Sequence, residues 1–445
     1  MKFEAQVQVS IDLLDEFLRT KKPFDLTMSK FFKNNRWVGK NDRREIAEMV
    51  GDIFRNFELL KFLNQKITND HARFFMLTYL RVQKHLSRQE IEKIFCGSKY
   101  APPKLTNFER NFLEQADLSQ DGNKLPLHLR LNFPEWLTPY FQKAFGENFE
   151  QEVAALNQKA SVDLRVNVLK SSIEDVEKLL HAEGFHFQRS QYLSNCIKLA
   201  PGERISRGHD IIRNGLAEIQ DEGSQIVAEI CGTKAGDVVV DFCAGAGGKT
   251  LALASKMQNK GRIFALDKYP QRLETAQLRL RRAGVHNAFC QEISPKWLKR
   301  HANFADVVLV DAPCSGTGTW RRNPDMRARF VPKDLQELIE IQRQILQQAA
   351  NLVKPGGRLI YATCSILKEE DEEQIEKFLH SCVNFRLKKI SVPTINEYKP
   401  EPRNHENNFL RLSSHSYGTD GFFAAVLINN STPGLKMRKN FSSIL

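Results

Sequence analysis

The stretch DVVVDFCAGAGGKT, residues 237–250, decides how this chain is read. A short apolar run ends in an acid, Asp241; Gly245, Gly247 and Gly248 follow within a few positions, and a helical pattern begins behind them. Glycines at such a place allow a tight turn and close approach of a ligand to the backbone, at the N-terminus of the next helix. The same rhythm repeats outward. RIFALD (262–267), NAFCQE (287–292), DVVLVDAP (306–313) and RLIYATCS (358–365) are each followed by a helical stretch, and FFAAVLI (422–428) closes the series. Short apolar strands alternating with amphipathic helices predict an α/β fold with a doubly wound parallel sheet.

Upstream the pattern changes. Residues 1–95 show helical spacing without strand alternation, which predicts an all-helical domain. Arg19, Lys21, Lys22, Lys30, Lys33, Arg36, Lys40, Arg43 and Arg44 lie in it around Trp37, either as a solvated basic face or as an RNA-docking surface. Residues 96–130, rich in Pro, Gly and polar clusters, read as a linker around one short helix. From 131 to 215, a helical stretch, a strand at 163–170, a helix closed by Gly184 and further strand material predict a small α+β unit. The doubly wound domain then spans 216–431, and 432–445 is a tail.

With 445 residues, 41% hydrophobic and 27% charged, the chain has the composition of an ordinary globular protein of roughly two to four domains. No apolar run approaches the ~18 residues of a membrane span. The opening MKFEAQVQVSIDLLDEF carries acids in its first apolar stretch, so a cytoplasmic protein is expected. Eight scattered cysteines form no CxxC pair and no zinc spacing, which predicts free thiols and no metal site. A net charge of +12 favours a polyanionic partner.

In an open parallel sheet the ligand lies outside the carboxyl ends of the strands. Here those ends carry Asp241, Asp267, Glu292, Asp311 and Cys364. Each alone has a dull explanation, a helix cap or a small apolar filler; their gathering on one rim does not. Gly248-Lys249-Thr250 and VVLVD (307–311) suggest a P-loop, but the first glycine of that motif would fall on Cys243. A GxGxxG fingerprint begun at Gly245 fails at Thr250. A nucleoside without a phosphate chain remains, and Asp241 to Gly247 resembles the first motif of class I S-adenosylmethionine methyltransferases. Asp267 would then hold the ribose.

Cys314 and Cys364 follow what should be neighbouring strands, so both thiols are expected to face one pocket. Such a pair suits covalent pyrimidine chemistry, because carbon 5 of cytosine accepts a methyl only after a thiolate has added to carbon 6. Asp311, three residues before Cys314, is placed to hold nitrogen 3 protonated. DFCAGAGGKT, Asp267, DAPCSGTGTWRRNPD (311–325), LVKPGGRLIYATCSI (352–366) and EEDEEQI (369–375) together resemble the RNA cytosine-5 methyltransferases of the RsmB/NOP2/Sun family over residues 130–430. The resemblance implies that Cys364 is the nucleophile and that Cys314 assists product release. It also implies cofactor contacts at Cys243, Ala244, Gly245, Ala246, Gly247, Gly248, Lys249, Asp267, Glu292 and Asp311.

Two departures stand out: the usual Pro of the first motif is Ala246, and the third strand-end acid, usually Asp, is Glu292. DRREIAEMVGDIFR (42–55) is similar to the NusB-like domain of the bacterial branch, which implies ribosomal RNA of the small subunit as partner; a monomer without a membrane partner is expected. Arg321, Arg322, Arg327 and Arg329 are expected on phosphates. The rival reading is a non-catalytic RNA-binding assembly factor on the same fold.

Overall fold

Strands β5 (Val238–Asp241), β6 (Arg262–Asp267), β7 (Ala288–Glu292), β8 (Ala305–Asp311) and β9 (Val353–Thr363) run parallel in the order β9-β8-β5-β6-β7. They belong to a computed structural model that describes residues 1–65, 67, 71–115, 125–390 and 408–432. The alternation that suggested these strands is the alternation of their burial. Val239, Val307, Leu309, Ile360 and Ala362 enter one apolar cluster, whereas Val240, Val308, Val310, Leu359 and Tyr361 enter another. Both faces are therefore covered, the condition under which parallel strands read as continuous apolar runs. The order reverses at β5, with β6 on one side and β8 on the other, and this places the switch point beside Asp241 and Asp311.

The sheet is not parallel throughout. β12 (Phe422–Asn429) pairs antiparallel with β9, and its other edge is covered by β11 (Phe409–Leu412) along 422–425 and β10 (Phe385–Lys388) along 426–429. Ahead of it, within the same compact unit, a four-stranded antiparallel sheet in the order β2-β3-β1-β4 is formed by β1 (Asp163–Val166), β2 (Phe187–Arg189), β3 (Cys196–Leu199) and β4 (Ala217–Ile219). Leu164, Val166, Val176, Leu180 and Ile197 form its core. Two expectations shift here. The strand expected at 163–170 stops at Val166, because Asn167 turns the chain and its side chain donates to the Gly215 and Ala283 carbonyls. The fourth strand, at 217–219, lies beyond the expected boundary at 215.

The other unit gathers the described residues of Met1–Gln158 with Thr319–Pro332. Its helices, beginning with Phe3–Thr20, Phe24–Asn34 and Lys40–Arg55, close on a phenylalanine core in which the Phe17 and Phe54 rings lie 4.5 Å apart and Phe57 stacks on Phe75 at 5.0 Å. The segment expected to be a linker contributes to this core. Helix Asn107–Gln115 is tied down by Glu109, whose buried carboxylate receives the Arg73 guanidinium while Arg73 also donates to the Pro103 carbonyl. No described helix is long and apolar enough to cross a membrane.

Candidate active site

The turn after β5 takes the shape its glycines allow. Gly245 (φ +54°) and Gly247 (φ +79°) are left-handed, and helix Gly248–Lys256 starts behind them. A Cβ on Gly247 would also stand 3.0 Å from that of Ala276. The neighbouring strand ends hold the turn. Asp267 accepts the Gly245 backbone N–H at 2.9 Å on one oxygen and the Tyr269 N–H at 2.8 Å on the other, which leaves one lone pair of each for a ligand. Thr250 donates its hydroxyl to Asp241 at 2.7 Å, and Lys249 Nζ donates to Asp311 Oδ2 at 2.7 Å.

Burial sets the charge state of these groups. Asp241 is wholly buried and its carboxyl is pushed up to about 7, with the nearby carboxylates of Asp311 and Asp267 adding to the effect of burial. Burial works against the Lys249 ammonium, but Asp311 and, further away, Cys364 and Asp241 outweigh it and hold Lys249 protonated above the ordinary lysine range. Burial raises the Cys243 thiol well above its usual value, so Cys243 is a packing group of the turn. Glu292 lies directly across from Asp267 in the β6–β7 pairing and is exposed.

Cys314 Sγ and Cys364 Sγ stand 3.4 Å apart, as their places after adjacent strands β8 and β9 suggested. Both side chains are partly accessible. The neighbouring Cys364 thiol, burial and the Glu370 carboxylate together push Cys314 well above the ordinary thiol range. Beneath the two cysteine loops, Gly318 donates its N–H to the Cys364 carbonyl at 3.0 Å and accepts the Gly421 N–H at 2.8 Å. A Cβ on Gly318 would meet the Gly421 oxygen at 2.2 Å, so only glycine fits.

Sequence reasoning passed over the residues that grip the glycine turn from outside. Arg165 of β1 donates to the Gly248 carbonyl at 3.0 Å, and Arg279 to the Ala246 carbonyl at 2.7 Å. Glu218 of β4 accepts from Arg279 and Arg282, so the small sheet and the turn are one hydrogen-bonded structure. Only two buried charges, Asp163 and Arg165, in the four residues of β1 could have hinted at this.

The rim suits a cationic nucleoside. The carboxyls of Asp241, Asp267 and Asp311 outnumber the Lys249 ammonium, which matches a sulfonium, and Cys243 stands where a phosphate-binding loop has its first glycine. Comparison with known proteins agrees. A family model described as 16S rRNA methyltransferase RsmB/F matches residues 229–428, and one described as the ferredoxin-like domain of RsmF/B-like methyltransferases matches 133–205. The probable ribosomal RNA small subunit methyltransferase B of Bacillus subtilis is 32% identical over 328 residues, covering 72% of this chain and 71% of that one. Ribosomal RNA small subunit methyltransferase B of Proteus mirabilis is 32% identical over 369 residues, covering 77% and 85%. A solved methyltransferase homologue from Pyrococcus horikoshii, 29% identical, superposes with a TM-score of 0.58 over 68% of this chain and 97% of its own. The fold is that of class I methyltransferases, and the cofactor is S-adenosylmethionine. At that identity and over that length, the chain belongs to the RsmB/F methyltransferase family.

Proposed function

We propose that this chain methylates carbon 5 of a cytosine in small-subunit ribosomal RNA, with Cys364 as nucleophile. The observation that carries this reading is the pair of thiols 3.4 Å apart, at the ends of adjacent strands and next to the Lys249–Asp311 ion pair. Cys364 Sγ adds to carbon 6 and makes carbon 5 enamine-like. Asp311, with Oδ2 taken by Lys249, uses its other oxygen to hold nitrogen 3 protonated. Bound S-adenosylmethionine supplies the methyl group. The carbon 5 proton then passes to water, the double bond is restored and Cys364 leaves as thiolate; Cys314, a neutral thiol 3.4 Å away, assists this departure by donating its S–H to the leaving sulfur. Bisulfite sequencing of ribosomal RNA from a strain lacking this protein tests the reading. One small-subunit cytosine should lose its protection and regain it on complementation with the wild-type chain, and an unchanged profile would overturn the proposal.

Asp267, with Glu292 beside it, is the proposed ribose site, and the turn Cys243–Lys249 lies against the rest of the nucleoside. Asp267→Ala should weaken S-adenosylmethionine binding by roughly 1.5–3 kcal/mol, the range for hydrogen bonds to a charged group. Unaltered affinity in calorimetry would remove Asp267 from the site.

RNA is proposed to dock on the exposed Lys22, Lys30, Lys33, Arg36, Lys40 and Arg44 around Trp37, which is 63% exposed. Arg321, Arg322 and Arg329 stay with that proposal, whereas Arg327 leaves it. The Arg327 side chain is 1% exposed and surrounded by backbone carbonyls, so it reaches no phosphate. Affinity for a ribosomal RNA fragment should fall at least about tenfold between about 50 and about 200 mM salt, through counterion release. A flat salt dependence would remove phosphate contacts from the proposal.

A further inference from the structure

The EEDEEQI stretch (369–375) takes no part in the chemistry above, yet Glu370 is completely buried and its carboxylate accepts four hydrogen bonds. Oε1 receives the Ser315 backbone N–H and Gln342 Nε2, each at 2.8 Å; Oε2 receives the hydroxyls of Ser315 and Ser365, the latter at 2.6 Å. Ser315 and Ser365 directly follow Cys314 and Cys364. Thr317 completes the knot, its hydroxyl 3.1 Å from that of Ser315 and 3.2 Å from that of Ser365, while it accepts the Ile366 N–H at 3.1 Å.

All four partners of this carboxylate are neutral. A buried charge without a counter-ion is a costly group to place in a core, and an apolar residue would pack there at less expense. Four donors converging on two oxygens saturate the carboxylate and tie the two cysteine loops to a single point. We propose that Glu370 is a positioning residue that sets the distance between the Cys314 and Cys364 thiols, a role that rests on the reading of these thiols as the acting pair. Burial raises the Glu370 carboxyl while its serine bonds lower it, and its charge contributes to keeping Cys314 a neutral thiol.

The test measures thiol spacing and turnover separately, on the full chain. In glutathione redox buffers, glutathione disulfide is reduced to two glutathione molecules as Cys314 and Cys364 are oxidised to a disulfide. The fraction formed, quantified by peptide mass mapping, gives the effective concentration of one thiol at the other. Glu370→Ala removes all four bonds and should lower that effective concentration about tenfold or more, since proximity is what the exchange equilibrium reads. It should also lower kcat on the order of 100-fold, the usual penalty for reacting groups displaced by about 1 Å, with the KM for S-adenosylmethionine unchanged. Glu370→Gln keeps the two bonds to Oε1 and lets both serine hydroxyls turn to accept from the amide, so it should rescue both quantities to within about threefold. Should Glu370→Ala not fold, the Ser315→Ala, Ser365→Ala double variant gives the same measurement. An effective concentration unmoved by these substitutions overturns the proposal whatever the activity. A lowered effective concentration with full turnover overturns instead the reading of the thiols as the acting pair.

Discussion

Cys364→Ala should abolish methyl transfer and form no covalent complex with RNA, whereas Cys314→Ala should leave the protein trapped on its RNA as a band that survives denaturing electrophoresis. The two outcomes follow from one geometry. With the sulfurs 3.4 Å apart, either thiol is within reach of the same pyrimidine ring, so position alone does not assign the roles. Surroundings do. Cys314 is held well above the ordinary thiol range by its thiol neighbour, by burial and by the Glu370 carboxylate. Cys364 is the sulfur that shares an electrostatic environment with the Lys249 ammonium. Removing Cys364 therefore removes the bond to carbon 6, and every later step with it. Removing Cys314 leaves addition and methyl transfer intact and blocks resolution, so the adduct accumulates and disappears again in the double variant. If both cysteines were only packing groups, each variant would lose a little stability and keep near-normal turnover. A trapped adduct with Cys364→Ala would reverse the assignment and make Cys314 the nucleophile.

The parts of this molecule that were legible in the sequence are those in which local pattern and tertiary role coincide. β5, β6, β8 and β9 are buried on both faces, so their apolar runs are continuous, and each ends in a polar residue because the rim is where a ligand binds. The cysteine pairing followed from sheet order alone. What stayed hidden depends on partners distant in sequence. β10 and β11 are four-residue strands that exist because β12 offers them an edge, and nothing in FRLK or FLRL separates them from loop. Glu370 stands in EEDEEQI, a stretch marked in the sequence only by its family resemblance, and its burial is decided by Ser315, 55 residues earlier. Arg165 and Glu218 look like surface charges of a small sheet until the glycine turn of the larger one is placed against them. Arg327 was misread for the same reason. A cluster of arginines after a motif suggests phosphate contacts, but one of them is interior.

That interior arginine carries the largest expected effect on stability. Arg327 Nη1 donates to the carbonyls of Asn132 at 2.8 Å and Arg55 at 3.2 Å and to the Asn157 side chain, and Nη2 donates to the Leu156 carbonyl at 3.3 Å. Its guanidinium lies 4.9 Å from the centre of the Trp320 ring, which itself packs on Phe141 at 5.6 Å. The segment Thr319–Pro332 is thus joined to the helical unit at three separate stretches of backbone by one side chain. Burial, reinforced by Arg55, pushes the guanidinium down to about 9, so it remains charged at neutral pH and its acceptors remain satisfied. Arg327→Ala should destabilise this unit by about 3–5 kcal/mol, through a cavity under Trp320 and several buried carbonyls left without donors. Arg327→Met separates the two contributions: it fills most of the volume and leaves the carbonyls unpaired, so it should recover only the cavity part. Denaturant unfolding of the full chain followed through tryptophan fluorescence reads both. The phosphate reading predicts the opposite pattern, with stability unchanged and the salt slope of RNA binding reduced by about one; that pattern would show that Arg327 faces RNA.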